Sequence, residues 1–565
     1  MSQIFVPALP GQQQRILRLL ILSWVVGTMA FWCWFSQPGA QVSLQGSLIN
    51  VGLLLYVTGL PVWPFYLLMR MQKVREDLVV PPQLRVAMVV TKAPSEPWPL
   101  VESTLVAMLE QSPDHATWLA DEHPAEQTLQ WCQRHGVMVC SRHGVEAYHR
   151  PSWPRRTRCK EGNLAYFYDH HGYGNYDVVV QLDADHRPEP GYLAAMLKPL
   201  ADPDVGYVAA PSICDANAAA SWVARGRLYA ESVLHGPMQL GFNGGWAPLC
   251  IGSHYAVRTR ALRQIGGLGP ELAEDHSTTL LMNAHGWRGA FAHGAICHGL
   301  GPERFEDGMV QEYQWSQSLT TILLTLCPAV LRRLPAQQQL QFLYSQIYYP
   351  LRGLLSLCAL GLPALALLLN RPWMRLHYPS FLLLSGLQMV ITILPIVYVR
   401  QAALLRPSTA PLLSWEMALF ELSRGPWILA GVTSGLLQCL QQRSVEFRVT
   451  NKHGQAAPLP LTYLLPYALL TLVGAGVALV AGAGAIAAKG YVLLTLVATL
   501  MLAATALMIT ILSQRGGTHS LRSYLPHYLI SGGGVLLTLG SALLRRQELL
   551  VPLGSAGAGA VATPF

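Results

Sequence analysis

The chain has 565 residues, 52% hydrophobic and 12% charged, with a formal net charge of +8. That charged share is about half of what a soluble globular protein carries, which excludes a wholly water-soluble fold. No dense basic run interleaved with aromatics occurs, so no nucleic acid is expected as a partner; the positive balance suits an anionic lipid surface instead.

Two apolar runs come first, Leu19 to Phe35 and Val51 to Met69. With their flanks, each is long enough to cross a hydrocarbon layer of about 30 Å. Arg15 and Arg18 precede the first run and no small-residue cleavage site follows it, so an anchor is expected and not a cleaved signal. Arg70, Lys73 and Arg75 follow the second run, whereas Gln37 to Gln45 carries no Lys or Arg. The positive-inside rule then places the N-terminus and the next segment in the cytoplasm.

From about residue 80 to 310 the chain reads as a water-soluble insert. Leu84–Thr91 is a β-branched run typical of a buried strand, Leu100–Glu110 is helical, and Tyr176–Leu182 is a second strand ending at Asp183. Gly191–Leu200 is a further helix. This alternation predicts a mainly parallel sheet with ligands at the carboxyl ends of its strands. Cys132, Cys140, Cys159, Cys214, Cys250 and Cys297 fall here without any CxxC pair, and reduced thiols are expected.

After Trp315 the character changes again. Leu319 to Tyr344 is amphipathic and suits a membrane surface. Leu354–Leu369 and Phe381–Val399 read as spans, while Trp415–Leu440, with Glu416, Glu421 and Arg424 among apolar residues, suits an interfacial helix. Leu461–Ala488 and Tyr491–Leu512 are further spans. Tyr528–Leu544 is a seventh candidate, interrupted by Gly532, Gly533 and Gly534. No soluble domain is expected after Leu512, and the Gly/Ala-rich tail reads as disordered.

The strongest chemical signal is Asp183-Ala184-Asp185, directly after an apolar strand. Two carboxylates on one tight turn can share a hard cation such as Mg²⁺ or Mn²⁺, or can simply cap a solvated turn. Glu274-Asp275 precedes another apolar run. An acid there can take a proton from a hydroxyl nucleophile, or can stabilise a helix N-terminus. His254, His293 and His298 lack ligand spacing and read as core or surface residues.

In order from Val79 to Gly454, the chain resembles the processive family 2 membrane glycosyltransferases, most closely the bacterial cellulose synthase catalytic subunit and related β-glycan synthases. Thr91 with Glu96-Pro97 resembles the opening nucleotide-binding segment. Asp121, in Trp118–Glu122, resembles the acid that contacts the nucleobase, and Lys160–Leu164 (KEGNL) resembles the family's K-A-G-N-L. Cys250-Ile251-Gly252-Ser253 is similar to a C-G-S segment near the acceptor, with one residue inserted. Ala273-Glu274-Asp275 resembles T-E-D. Gln311–Trp315 (QEYQW) resembles Q-(Q/R)-x-R-W, with Gln314 in place of an arginine that neutralises diphosphate and Glu312 where Arg or Gln is usual. Phe447–Lys452 (FRVTNK) fits the gating-loop pattern F-x-V-T-x-K.

The resemblance implies Asp275 as catalytic base and Asp183 and Asp185 as ligands of Mg²⁺ or Mn²⁺. It implies Thr91, Glu96, Asp121, Lys160, Asp183, Gln311, Thr450 and Lys452 on a nucleotide sugar, with a UDP-sugar as the expected donor. Cys250, Gly252, Ser253, Glu274 and Trp315 would meet the acceptor. For the lost arginine, Arg155, Arg156, Arg158 and Arg304 are the candidate substitutes.

The expected fold is an α-helical polytopic membrane protein with a cytosolic GT-A-like α/β glycosyltransferase domain inserted between transmembrane helices. Its expected domains are an anchor of two transmembrane helices at 1–78 and the glycosyltransferase domain at 79–318. Interfacial helices, two spans and a gating-like loop (447–454) occupy 319–455, C-terminal spans 456–550, and a disordered tail 551–565. The expected activity is inverting, processive synthesis and export of an exopolysaccharide at the inner membrane. Its partners are the growing glycan, the bilayer and export proteins. A one-step sugar transferase acting on a lipid carrier, and a catalytically silent secretion subunit, are the alternatives.

Overall fold

The computed structural model describes residues 4–37, 44–157, 160–370, 378–441, 457–482, 486–517 and 519–554. The chain divides into two compact units, one of Met1–Gln14, Tyr66–Leu351 and Val399–Gly454, the other of Arg15–Phe65, Arg352–Tyr398 and Gln455–Phe565.

The first unit is built on a seven-stranded sheet. Its strands are β1 (Val86–Lys92), β2 (Ala116–Asp121), β3 (Met138–Cys140), β4 (Val178–Asp183), β5 (Val205–Ala209), β6 (His254–Arg258) and β7 (Arg288–Phe291), in the order β7-β5-β6-β4-β1-β2-β3. Every residue of β1 is buried, and so is all of β4 except Asp183 at its end, as near-continuous Val, Ala, Met and Leu runs require when both faces are covered. β1 pairs in parallel with β2 and β4, and the register sets Thr91 opposite Ala120 and Asp183, and Lys92 opposite Asp121. The carboxyl ends of three strands therefore meet at one edge.

The sheet is mainly parallel, as expected, with one strand reversed: β6 runs antiparallel to both β4 and β5. The reversal has a local cause. The turn at Ile251–Gly252–Ser253 brings the chain back into β6, and the Asp183 N–H donates to the Ser253 carbonyl at 2.8 Å. The antiparallel strand thus delivers Gly252 and Ser253 beside the end of β4.

The helices of this unit include α1 (Trp98–Leu109), α2 (Lys160–Phe167), α3 (Trp222–Glu231), α4 (Glu274–Ala284), α5 (Phe305–Leu324), α6 (Trp415–Ser423) and α7 (Gly425–Gln441). The single interfacial helix expected over Trp415–Leu440 is two helices with Arg424 between them. The expected surface helix over Leu319–Tyr344 is the buried end of α5, a short helix at Leu326–Val330 with a 3-10 turn after it, and then the start of a helix over Ala336–Leu368. Polar residues Ser316, Gln317, Thr320 and Thr321 face α7 and not solvent, which is why the run looked amphipathic. Gln317 Nε2 donates to Ser434 Oγ at 3.0 Å.

Close approach of α5 and α7 depends on two glycines. A Cβ at Gly431 would sit 2.0 Å from Ser316 Oγ and 2.3 Å from the Tyr313 carbonyl, and one at Gly435 2.8 Å from the Gln317 carbonyl. Gly431→Leu should therefore force the helices apart and destabilise this unit by about 1–3 kcal/mol. A lowered thermal midpoint of the detergent-solubilised protein would register it; an unchanged midpoint would mean the seam is not tight.

Six helices among the described residues are long and apolar enough to cross a membrane: Gly11–Phe35, Gly46–Leu68, Ala336–Leu368, Pro379–Gln401, Lys489–Arg515 and Leu521–Leu544. The expected span over Leu461–Ala488 contains a helix of only 16 residues, Leu465–Val480. Conversely, the candidate at Tyr528–Leu544 lies in an unbroken 24-residue helix. Glycine weakens a helix by about 1 kcal/mol per residue but does not stop one that is otherwise supported. Residues 551–554 end the helix Arg546–Gly554, and the remainder of the expected tail lies outside the described residues.

Candidate active site

The KEGNL stretch starts α2, and each of its middle residues has a mechanical task. Glu161 accepts the backbone N–H groups of Arg155 and Arg156 at 2.8 and 2.9 Å. Gly162 leaves room where a Cβ would fall 2.1 Å from both Arg142 Nη1 and the Arg156 carbonyl. Asn163 donates to the Ala120 carbonyl on β2 at 2.8 Å. Thus fixed, Lys160 reaches across to β4, where Nζ donates to Asp183 Oδ1 and to the Gly252 carbonyl, both at 2.5 Å.

Asp183, Asp185 and His186 each present a ligand atom within 4.8 Å of the others. The turn is held from behind by Thr104 on α1, whose hydroxyl donates to the Ala184 carbonyl at 2.8 Å. Asp185 accepts the Leu300 N–H at 3.1 Å and lies 3.3 Å from His186 Nδ1. Burial works against a charge on His186, yet Asp185 carries its pKa up to about 10. The oxygen-rich pair fits Mg²⁺ or Mn²⁺ with solvent and phosphate oxygens completing the shell. His186 was not singled out in the sequence, although it directly follows Asp185.

Glu274 and Asp275 open α4 and face the same spot. A Cβ on Gly252 would lie 3.4 Å from Asp275 Oδ2 and 3.9 Å from Glu274 Oε1. Burial raises the Glu274 pKa, and Asp275 beside it adds to the rise. Burial raises Asp275 too, against N–H groups of His276 and Gly252 and the Lys160 charge. The His276 N–H reaches Asp275 Oδ1 at 2.7 Å, which orients the carboxylate. For Lys160, burial opposes the charge, but Asp183, Glu274 and Asp275 together keep its pKa above the ordinary lysine value. One ammonium thus sits among three carboxylates, close to the backbone of Gly252. Cys250 and Ser253 are buried supports: Thr279 Oγ1 accepts the Cys250 N–H at 3.1 Å, and Ser253 donates to Ser212 at 2.9 Å.

The expected nucleoside end is less open. Thr91 is buried at the end of β1, and Glu96 accepts the Ala93 N–H at 2.9 Å. Asp121 has no exposed side-chain surface and is paired with Lys92 at 3.2 Å. Thr450 and Lys452 lie outside the described residues.

On α5, Gln311 and Trp315 share a face, and both meet a residue that sequence reasoning missed. Arg227 of α3 donates from Nη1 to Gln311 Oε1 at 2.9 Å, and its Cζ lies 4.6 Å from the Trp315 ring centroid. No local pattern links residues so far apart in the chain. Of the expected substitutes for a lost arginine, Arg155 pairs with Asp169 at 2.8 Å, Arg304 pairs with Glu306, and Arg158 lies outside the described residues. The peptide of Arg156 serves Glu161 and Arg142. Glu312 is 1% exposed and faces Arg424 at 3.4 Å, so the unusual acid has a cation beside it. His254 is buried between the Tyr192 hydroxyl and the Pro211 carbonyl.

Residues 178–405 match the family described as Glycosyl transferase family group 2. The chain is 26% identical to "Cellulose synthase 2" of Novacetimonas hansenii over 316 residues, 54% of this chain and 19% of that protein. It is 28% identical to "Cellulose synthase 1 catalytic subunit [UDP-forming]" of Komagataeibacter xylinus over 200 residues, 34% of this chain and 26% of that one. The matched stretches thus span well under half of either relative. Among solved structures, the mannosyltransferase PcManGT from Pyrobaculum calidifontis, in complex with GDP-Man and Mn²⁺, is similar at a TM-score of 0.38 and 16% identity, covering 75% of this chain and 99% of that one.

Proposed function

We propose that the chain is an inverting membrane glycosyltransferase that lengthens a β-glucan-like exopolysaccharide, a reading supported by the family match over residues 178–405 and the similarity to bacterial cellulose synthases. The donor is a nucleotide diphosphate sugar, with UDP-sugar as the class, and the α/β unit works on the cytoplasmic face of an inner membrane. One observation carries this reading. Lys160, Asp183, Glu274 and Asp275 converge on the backbone of Gly252, joining the turn that would bind a cation to an acid that would deprotonate a hydroxyl.

In this mechanism Asp183 and Asp185, beside His186, would hold the divalent ion. Once bound, that ion supplies Lewis-acid stabilisation of the leaving diphosphate. Lys160 bonds Asp183 and the Gly252 carbonyl, and its charge offsets the repulsion among the acids. Asp275 accepts the proton of the acceptor hydroxyl as its oxygen attacks the anomeric carbon, so inversion follows from a single displacement. Trp315 presents an indole face on which a pyranose can stack. Processive elongation and passage of the glycan across the membrane, with export partners beyond it, complete the proposal.

Purified full-length protein should incorporate sugar from one member of a nucleotide-sugar panel, and linkage and length analysis should return a β-linked polymer. Adding EDTA should lower incorporation at least about 100-fold, restored by Mn²⁺ or Mg²⁺. Activity indifferent to EDTA would refute the metal assignment. Products one sugar long would point to the lipid-carrier alternative, and no transfer or donor hydrolysis at all would point to a silent subunit.

A further inference from the structure

Arg227 belongs to neither the cation turn nor the carboxylate group, yet it lies against the aromatic platform, on a helix joined to the segment that binds the cation turn. Its helix α3 begins at Ser221, whose hydroxyl donates to the carbonyls of Pro302 and Glu303 at 3.1 and 2.8 Å. The same strap carries Leu300, whose N–H binds Asp185, and Gly301, where a Cβ would lie 2.8 Å from Ala224 Cβ and 3.2 Å from the Cys214 carbonyl. Cys214 Sγ in turn lies 3.9 Å from His186 Nε2. Ala224 is one helical turn before Arg227, so the guanidinium sits one turn along a helix clamped to the segment that holds Asp185.

The guanidinium is aimed by three contacts. Nε donates to Glu231 at 3.1 Å, Nη1 to Gln311 at 2.9 Å, and the plane covers Trp315. Among the described residues no acceptor engages Nη2, and 10% of the side-chain surface stays open. Glu231 also faces His235 at 3.4 Å. A planar fork with one free edge, carried on a helix tied to the segment that binds Asp185, is what a phosphate oxygen needs.

We propose that Arg227 is the cation that meets the terminal phosphate of the departing nucleotide diphosphate, with Gln311 and Trp315 as its positioning residues. This rests on the glycosyltransferase reading above. It also confines a stacking sugar to the face of Trp315 that Arg227 leaves open.

Calorimetry on the detergent-solubilised full chain with Mn²⁺ tests it, using UDP and UMP as probes. Arg227→Gln should weaken UDP about 10- to 100-fold, the loss of one charge-assisted contact, and UMP less than about threefold. Arg227→Lys, which keeps the buried charge, should fall between, and it decides the matter if the Gln variant does not fold. Gln314 lies three residues from Gln311 and precedes Trp315 on α5, so Gln314→Arg in the Arg227→Gln background should recover UDP affinity. Equal losses for UDP and UMP, or unchanged UDP binding, would overturn the assignment while sparing the donor reading. A wild type that binds no UDP would overturn both.

Discussion

Asp275→Asn should reduce sugar transfer about 10²- to 10⁴-fold, the range of one general base, while UDP binding stays within about threefold of wild type. The amide keeps the size of the carboxylate and can still accept from the His276 N–H, which sits 2.7 Å from Asp275 Oδ1. What it cannot do is receive a proton. Glu274→Gln should cost less, because Glu274 is the more deeply buried of the two acids and its pKa is raised by burial and by Asp275 itself. A protonated Glu274 leaves Asp275 as the ionised member near neutral pH. Since burial holds Asp275 above the ordinary carboxylate range, the wild-type rate should fall with decreasing pH before a surface aspartate would titrate. Labelled-sugar incorporation across pH, beside UDP titration, measures both. Wild-type turnover in Asp275→Asn would remove the base from the mechanism.

Much of this site was legible because it is made from short contiguous motifs. Asp183-Ala184-Asp185 follows a strand whose β-branched run announces burial, and the register then brings Thr91 to the same edge without further information. The KEGNL segment was recognisable by resemblance, but its physical reason required coordinates: only the structure shows Gly162 wedged against Arg142 and Glu161 tying down two peptides. Arg227 was not legible at all. It meets Gln311 from 84 residues away, through a helix with no periodic or motif signal of its own. Helix bounds near the C-terminus were also poorly legible. Hydropathy counts apolar residues, so Leu461–Ala488 looked continuous although its helix covers only Leu465–Val480, whereas three glycines hid an unbroken helix at Leu521–Leu544. Likewise the polar stripe of α5 signalled a wet face, but α7 covers it because Gly431 and Gly435 let the two backbones close.

Lys160→Met tests whether one ammonium sets the chemistry of the whole carboxylate group. In the wild type its Nζ bonds Asp183 and the Gly252 carbonyl, and its charge pulls down the pKa values of both Glu274 and Asp275. Without it those two pKa values must rise. The base is active when ionised, so the acid limb of the pH–rate profile should move to higher pH, by about one unit for the loss of a neighbouring opposite charge. At a fixed pH on that limb the rate falls about tenfold from this cause alone. Asp183 behaves differently, because losing Lys160 frees its Oδ1, so the Mn²⁺ concentration for half-maximal activity should not increase. A limb moved upward with metal requirement unchanged is the signature of a charge that tunes the base. If instead metal affinity collapsed and the limb stayed in place, Lys160 would be a support of the cation turn, and the coupling between that turn and Asp275 would be lost from the mechanism.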